Sequence, residues 1–110
     1  MWPMNRGEVW WINFDPSVGG EIQKTRPGVI VSNDSSNKTM NRLQVVPLTS
    51  QTGRRYPSEA LVTFEGKASK AMADQLTTVS KSRLFRQAGS VSAEDMQRIE
   101  AAIKVQLDIQ

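Results

Sequence analysis

The chain has 110 residues, 38% of them hydrophobic and 23% charged, the proportions of one ordinary soluble domain that can build a core unaided. It contains no cysteine and no histidine, which excludes disulfide scaffolds, zinc fingers, thiol nucleophiles and Ser–His triads. The net charge is +3, but residues 22–86 alone hold eleven Lys/Arg against four Asp/Glu, a local +7 flanked by segments of −2 each; such a basic middle points to a polyanionic partner.

In chain order, residues 1–5 are expected to be a tail. Glu8–Phe14 alternates as a strand, with Trp10, Ile12 and Phe14 on one face and Val9 and Trp11 on the other, so both faces are expected to be covered. Trp11 is assigned to a dimer contact or to the underside of the terminal helix. Asp15-Pro16 ends this strand and Ser17-Val18-Gly19-Gly20 reads as a mobile turn. Pro27–Ser32 is a second strand with Pro27 at its start, where a missing N–H is tolerated. Asn33–Asn37 carries turn chemistry that opens a short helical turn. Leu43–Thr49 is a third strand, in which Pro47 implies an edge or a bulge.

Ser50–Pro57 follows as a polar, basic loop, and Ala60–Phe64 as a fourth strand closed by Glu65-Gly66-Lys67. Ala71–Val79 supplies one or two further strand pieces and Leu84–Val91 the last. Short strands at this spacing imply a small closed or half-closed barrel. Ser92 is a good N-cap with Asp95 in capping-box position, and Met96, Ile99, Ile103 and Leu107 recur at helical spacing. The expected fold is mainly β with one amphipathic C-terminal helix, in a single domain spanning residues 1–110. No apolar run approaches the roughly 20 residues that cross a bilayer, and MWPMNRGE lacks the long apolar stretch of a secretory signal. A cytoplasmic protein with no membrane partner is expected.

The carboxylates are scattered, with no local spacing of a two-acid or metal site, and no phosphate-binding glycine motif occurs. No metal or cofactor is therefore expected. Arg, Thr, Ser and Gln near strand ends remain, a set suited to holding phosphate and stabilising charge that develops on it. RNA fits this set better than DNA because its 2′-hydroxyl is a built-in nucleophile.

Arg6-Gly7-Glu8-Val9-Trp10-Trp11, followed by Asp15-Pro16 and Gly20-Glu21, resembles the opening of the MazF/PemK/Kid toxins. Lys24-Thr25-Arg26-Pro27-Gly28-Val29-Ile30-Val31-Ser32-Asn33 is similar to their Arg-Pro signature, and Val45-Val46-Pro47-Leu48-Thr49-Ser50 to their third strand. Asp74-Gln75-Leu76-Thr77-Thr78-Val79, with Lys81 to Leu84, resembles their later acid-Gln segment. The resemblance implies an SH3-like β-barrel acting as a homodimer, the toxin of a toxin–antitoxin pair restrained by an acidic antitoxin. It implies a metal-independent, sequence-specific endoribonuclease that cuts single-stranded mRNA, leaving a 2′,3′-cyclic phosphate and a 5′-hydroxyl. By motif position the catalytic arginine falls on Arg26, the catalytic threonine on Thr49, and the acid-Gln pair on Asp74 and Gln75. Gly20 stands where some members have a histidine, and Met72 where some have an arginine, so the acid–base roles proposed for those members do not transfer.

Gly20, Glu21 and Ser50 lie in the matched motifs as supporting residues. Lys24, Arg54, Arg55 and Lys81 are candidates to line the RNA path, with Tyr56 as a stacking platform. Two alternatives remain open. One is a non-catalytic, CcdB-like SH3-barrel toxin that poisons DNA gyrase; the other is a member that binds RNA without cutting it.

Overall fold

The computed structural model describes residues 3–110; Trp2, in the expected tail, lies outside the described residues. Seven strands form one antiparallel sheet: β1 (Glu8–Asn13), β2 (Thr25–Ile30), β3 (Arg42–Thr49), β4 (Glu59–Phe64), β5 (Lys67–Met72), β6 (Thr77–Ser80) and β7 (Leu84–Ser90). A short helix α1 (Asp34–Thr39) precedes β3, and α2 (Ala93–Leu107) ends the chain. The strand order is β4-β5-β3-β2-β1-β7, with β6 also on β3. Strand β3 meets β2 along one edge; along the other it meets β6 at Arg42–Val45 and then β5 at Leu48 and Thr49. That change of partner curls the sheet into a half-barrel.

Each face of the sheet carries a core. Val9, Val29, Val46, Leu48, Val62 and Ala71 pack with Met96, Ile99 and Ala102 of α2. Trp10, Ile12, Phe14, Ile30, Leu43, Val45, Val79 and Leu84 form the second cluster. The alternation along β1 therefore divides as the side-chain period requires. Met4 packs against the second cluster, and Asn5 donates to both oxygens of Glu8, each at 3.1 Å, so these two residues are fastened to the sheet rather than trailing as a tail.

Both prolines sit deeper than expected. Strand β2 begins at Thr25, so Pro27 lies within it, facing Trp11 of β1 but outside the β2–β3 ladder, which starts at Gly28. Pro47 belongs to the central strand, not to an edge, and falls between the β6 ladder, which ends at Val45, and the β5 ladder, which begins at Leu48. A residue without a donor is tolerated where a ladder is interrupted. Phe64 and Lys67 close the β4–β5 hairpin over Glu65 (φ 53°) and Gly66 (φ 76°), the two-residue turn whose twist matches the strands.

Asn33 caps α1 by accepting from the Ser36 N–H at 2.8 Å. Ser92 caps α2 by accepting from the Asp95 N–H at 3.0 Å. The expected capping box does not close, because the Asp95 carboxylate is engaged elsewhere. It accepts from the Thr63 N–H of β4 at 2.8 Å and from Arg98 at 2.6 Å, which fastens α2 to the sheet. Met96 and Ile99 are buried and Ile103 half-buried, but Leu107 is 51% exposed, and Ala102 completes the buried stripe. No helix of the described residues is long and apolar enough to cross a membrane.

Candidate functional site

One row of residues crosses five strands. Ile12 of β1 pairs with Arg26 of β2. Two residues beyond the Gly28–Pro47 pair, along the register of β2 and β3, Arg26 comes opposite Thr49. Thr49 pairs with Lys70 of β5, and Lys70 with Leu61 of β4. Residues opposite one another share a face, so Arg26 and Thr49 project on the same side as Trp10 and Ile12. Gly28 lets Ile12 lie flat against this face, since a Cβ there would stand 2.7 Å from the Ile12 Cδ1. Arg26 and Thr49 thus come from segments far apart in sequence and border one cleft only because the strands pair.

Both side chains retain binding capacity. The Arg26 Nε–H donates to the Gln23 carbonyl at 3.3 Å, and among the described residues no carboxylate pairs with its guanidinium. The Thr49 Oγ1 accepts from the Gln51 N–H at 3.2 Å, which leaves its own O–H to donate. The two residues also line the edge of a cleft of about 670 Å³ whose rim includes Lys24 and Ser50 and whose walls, Trp11 and Phe64, stand on the opposite face of the sheet. Lys24 is held in the left-handed backbone region (φ 66°), a conformation that costs a non-glycine residue about 1–2 kcal/mol. Its N–H donates to the Asp15 carboxylate at 2.8 Å and its carbonyl accepts from Phe14 at 2.9 Å.

The acid-Gln pair occupies a second cleft of about 370 Å³, shared with Glu21, Phe14, Thr77 and Arg83. Phe14 places this cleft on the same face of the sheet as the Arg26–Thr49 row. Gln75 is used on the β1–β2 loop: it accepts from the Ile22 N–H at 3.1 Å and donates to the Gly20 carbonyl at 3.2 Å. Glu21 accepts from the Val18 N–H at 2.7 Å, and Arg83 donates to the carbonyls of Asn13 and Asp15. The turn at residues 17–20, expected to be mobile, is therefore braced from both sides. Asp74 is exposed. Among the described residues no three acidic side chains converge as a metal site would require.

The remaining candidates separate. Arg54 lies over the Tyr56 ring, 5.0 Å from its centroid. Arg55 and Tyr56 border a groove against α2 together with Leu61, Arg98 and Val105, away from the walls of the Arg26–Thr49 cleft. Lys81 is at the other end of β3: Ser80 pairs with Arg42, seven residues before Thr49, roughly 23 Å along a strand. Its ammonium donates to the Asn37 carbonyl, a use in fastening α1.

Sequence reasoning overlooked the cleft's aromatic wall. Trp11 packs edge-on against Phe64 (centroids 6.3 Å apart) and receives the Arg86 guanidinium at 5.5 Å, instead of lying beneath α2. The signal was its place on the face of β1 opposite Trp10; what it would face depended on the curl of the sheet. Lys70, counted among the basic residues, is buried.

Comparisons with known proteins bear on the fold and the family. The sequence pattern of the PemK-like, MazF-like toxins of type II toxin–antitoxin systems matches residues 5–107. The chain is 37% identical to endoribonuclease MazF9 of Mycobacterium tuberculosis over 115 aligned residues, covering 96% of this chain and 98% of that protein. In fold it is similar to MazF of Deinococcus radiodurans, with a TM-score of 0.87 at 24% identity over 98% of this chain and 99% of that one. A mycobacterial endoribonuclease solved in complex with its cognate antitoxin superposes with a TM-score of 0.81 at 24% identity, covering 97% of each chain. With its mainly β half-barrel, its terminal helix and this match along nearly its whole length, the chain belongs to the PemK-like, MazF-like toxin family of type II toxin–antitoxin systems.

Proposed function

We propose that the chain is a toxin that cuts single-stranded mRNA at preferred sequences, with Arg26 and Thr49 as its catalytic residues. The observation that carries the assignment is their shared register row, a guanidinium with no carboxylate partner among the described residues opposite a hydroxyl free to donate, in a chain 37% identical to an endoribonuclease. Arg26 offers two parallel N–H donors to the non-bridging oxygens of one phosphate, and Thr49 adds an O–H donor. The 2′-oxygen attacks phosphorus and the P–O5′ bond breaks, giving a 2′,3′-cyclic phosphate and a 5′-oxygen that takes up a proton. Both donors strengthen as negative charge grows on the phosphoryl oxygens. The 2′-hydroxyl proton leaves to water or phosphate, because a guanidinium, already carrying its proton, is a poor base. Lys24, Ser50 and the loop anchored by Gln75 position the strand.

The proposal includes an acidic antitoxin as the restraining partner, a homodimer as the acting form, and the cytoplasm as the setting. A solved complex of the same fold with its cognate antitoxin supports the first of these. The test is incubation of the purified protein with a long RNA in the presence of EDTA. Discrete fragments with 5′-hydroxyl ends are expected. Arg26→Ala and Thr49→Val are each expected to lower kcat about 100-fold or more while remaining folded. Intact RNA with the unaltered protein, or undiminished cutting by Arg26→Ala, refutes the assignment.

A further inference from the structure

Lys70 is a lysine in the middle of a strand with its side chain only 10% exposed, paired at 3.1 Å with Glu59, itself 9% exposed. Removing an ammonium from water is costly and is tolerated only with good partners. This one has two: the Glu59 carboxylate and the Arg54 carbonyl, to which it also donates. Glu59 in turn accepts from the Tyr56 N–H at 2.8 Å, and the Glu59 N–H donates to the Tyr56 carbonyl at 2.9 Å. The pair therefore holds the middle and the end of loop 50–58, whose first residue follows Thr49 directly. Lys70 and Thr49 are cross-strand neighbours on one face, so the clamp ties the loop's backbone to the row that carries Arg26 and Thr49, outward of their cleft toward the β4 edge. Arg54, exposed and steadied on Tyr56, is the charge the tethered loop presents there.

We propose that Lys70 is a positioning residue for RNA: it touches no substrate but fixes loop 50–58 so that the Arg54 guanidinium meets a phosphate flanking the scissile one. This rests on the RNA-cleavage reading above. Each phosphate contact to a single strand contributes about 0.7 to the slope of log affinity against log salt. Loss of one contact therefore makes KM about 2.5-fold less sensitive to a fourfold increase in salt.

The experiment measures kcat and KM across such a salt range for the unaltered chain, Arg54→Ala, Lys70→Met and the double variant, on an oligonucleotide spanning a mapped cleavage site. Arg54→Ala and Lys70→Met are each expected to raise KM far more than they lower kcat, and to flatten the salt slope by about 0.7. Adding Arg54→Ala to Lys70→Met should flatten it no further. Lys70→Met leaves Glu59 buried without its cation; should that variant not fold, Lys70→Met/Glu59→Gln replaces it. An unchanged slope in whichever of these folds overturns the proposal, whatever happens to kcat. If the unaltered protein cuts no RNA, the catalytic reading fails separately. The same slope is then read from retention of a labelled mixed-sequence single-stranded RNA, and decides for or against Lys70 in the same way.

Discussion

Gly28→Ala isolates the contact that shapes the face beneath Arg26. An alanine Cβ there stands 2.7 Å from the Ile12 Cδ1, 3.5 Å from the Val46 carbonyl oxygen and 3.7 Å from the Phe14 Cζ. The first distance is about 1 Å short of ordinary carbon–carbon contact, and Ile12 is fully buried in the cluster with Trp10, Phe14 and Leu43. Two effects oppose each other. Gly28 does not use the left-handed backbone region, so alanine restricts the unfolded chain and stabilises by about 0.4–1 kcal/mol. Overpacking a filled core costs about 1–3 kcal/mol, so the clash wins by about 1–2 kcal/mol, or roughly 4–8 °C in Tm for a domain of this size. The assay is urea unfolding followed by tryptophan fluorescence. Ile12→Val alone costs about 0.5–1.5 kcal/mol yet removes the clashing methyl, so the double variant should be more stable than the sum of the single losses by about 1 kcal/mol. Strict additivity, or a Gly28→Ala protein as stable as the parent, would refute this account of the contact.

Two further outcomes concern stability. Ser92→Ala removes the oxygen that accepts from the Asp95 N–H, and should cost about 1 kcal/mol in urea unfolding; no change would mean that the Thr63 and Arg98 contacts of Asp95 hold the helix start alone. Asp34 accepts from the Arg6 backbone N–H at 2.7 Å and from the Asn37 amide at 3.1 Å. These bonds, with help from the nearby Lys38 and Arg6 charges, hold its carboxyl below the ordinary 3.8. A depressed folded pKa stabilises above the unfolded value, and that stability disappears as pH falls through the folded one. The stability gap between the parent and Asp34→Ala should therefore be constant above pH 3.8 and narrow below it; a gap independent of pH in acid would contradict the assignment.

The elements were legible where their signals are local. The alternation of β1, the cap Ser92, the short helical turn opening at Asn33–Asn37, the strand stop at Glu65-Gly66 and most of the buried stripe of α2 each depend on residues within a few positions of one another, and short-range backbone sterics and periodicity suffice to read them. The errors have the same logic reversed. Asp95 fits a capping box by spacing, but a backbone N–H of β4 outcompetes the helix for its carboxylate. Pro47 reads as an edge residue until β3 is seen to change partners around it. Lys81 and Arg26 look alike as basic residues beside strands, yet the Lys81 ammonium is spent on fastening α1 through the Asn37 carbonyl, whereas Arg26 engages only its Nε–H, on the Gln23 carbonyl.

From its amino acids alone, this protein was bound to be a mainly β domain with a closing helix, without imidazole or thiol, whose chemistry must come from cations, hydroxyls and amides. Those properties belong to composition and to neighbours along the chain. The tertiary structure alone decided which of the eleven basic residues in the middle segment stay available, that Arg26 and Thr49 border one cleft, and that Lys70 is buried and tied to the loop bearing Arg54. Pairing register is set by burial across the whole sheet, and a slip of one residue would turn each of these side chains to the other face.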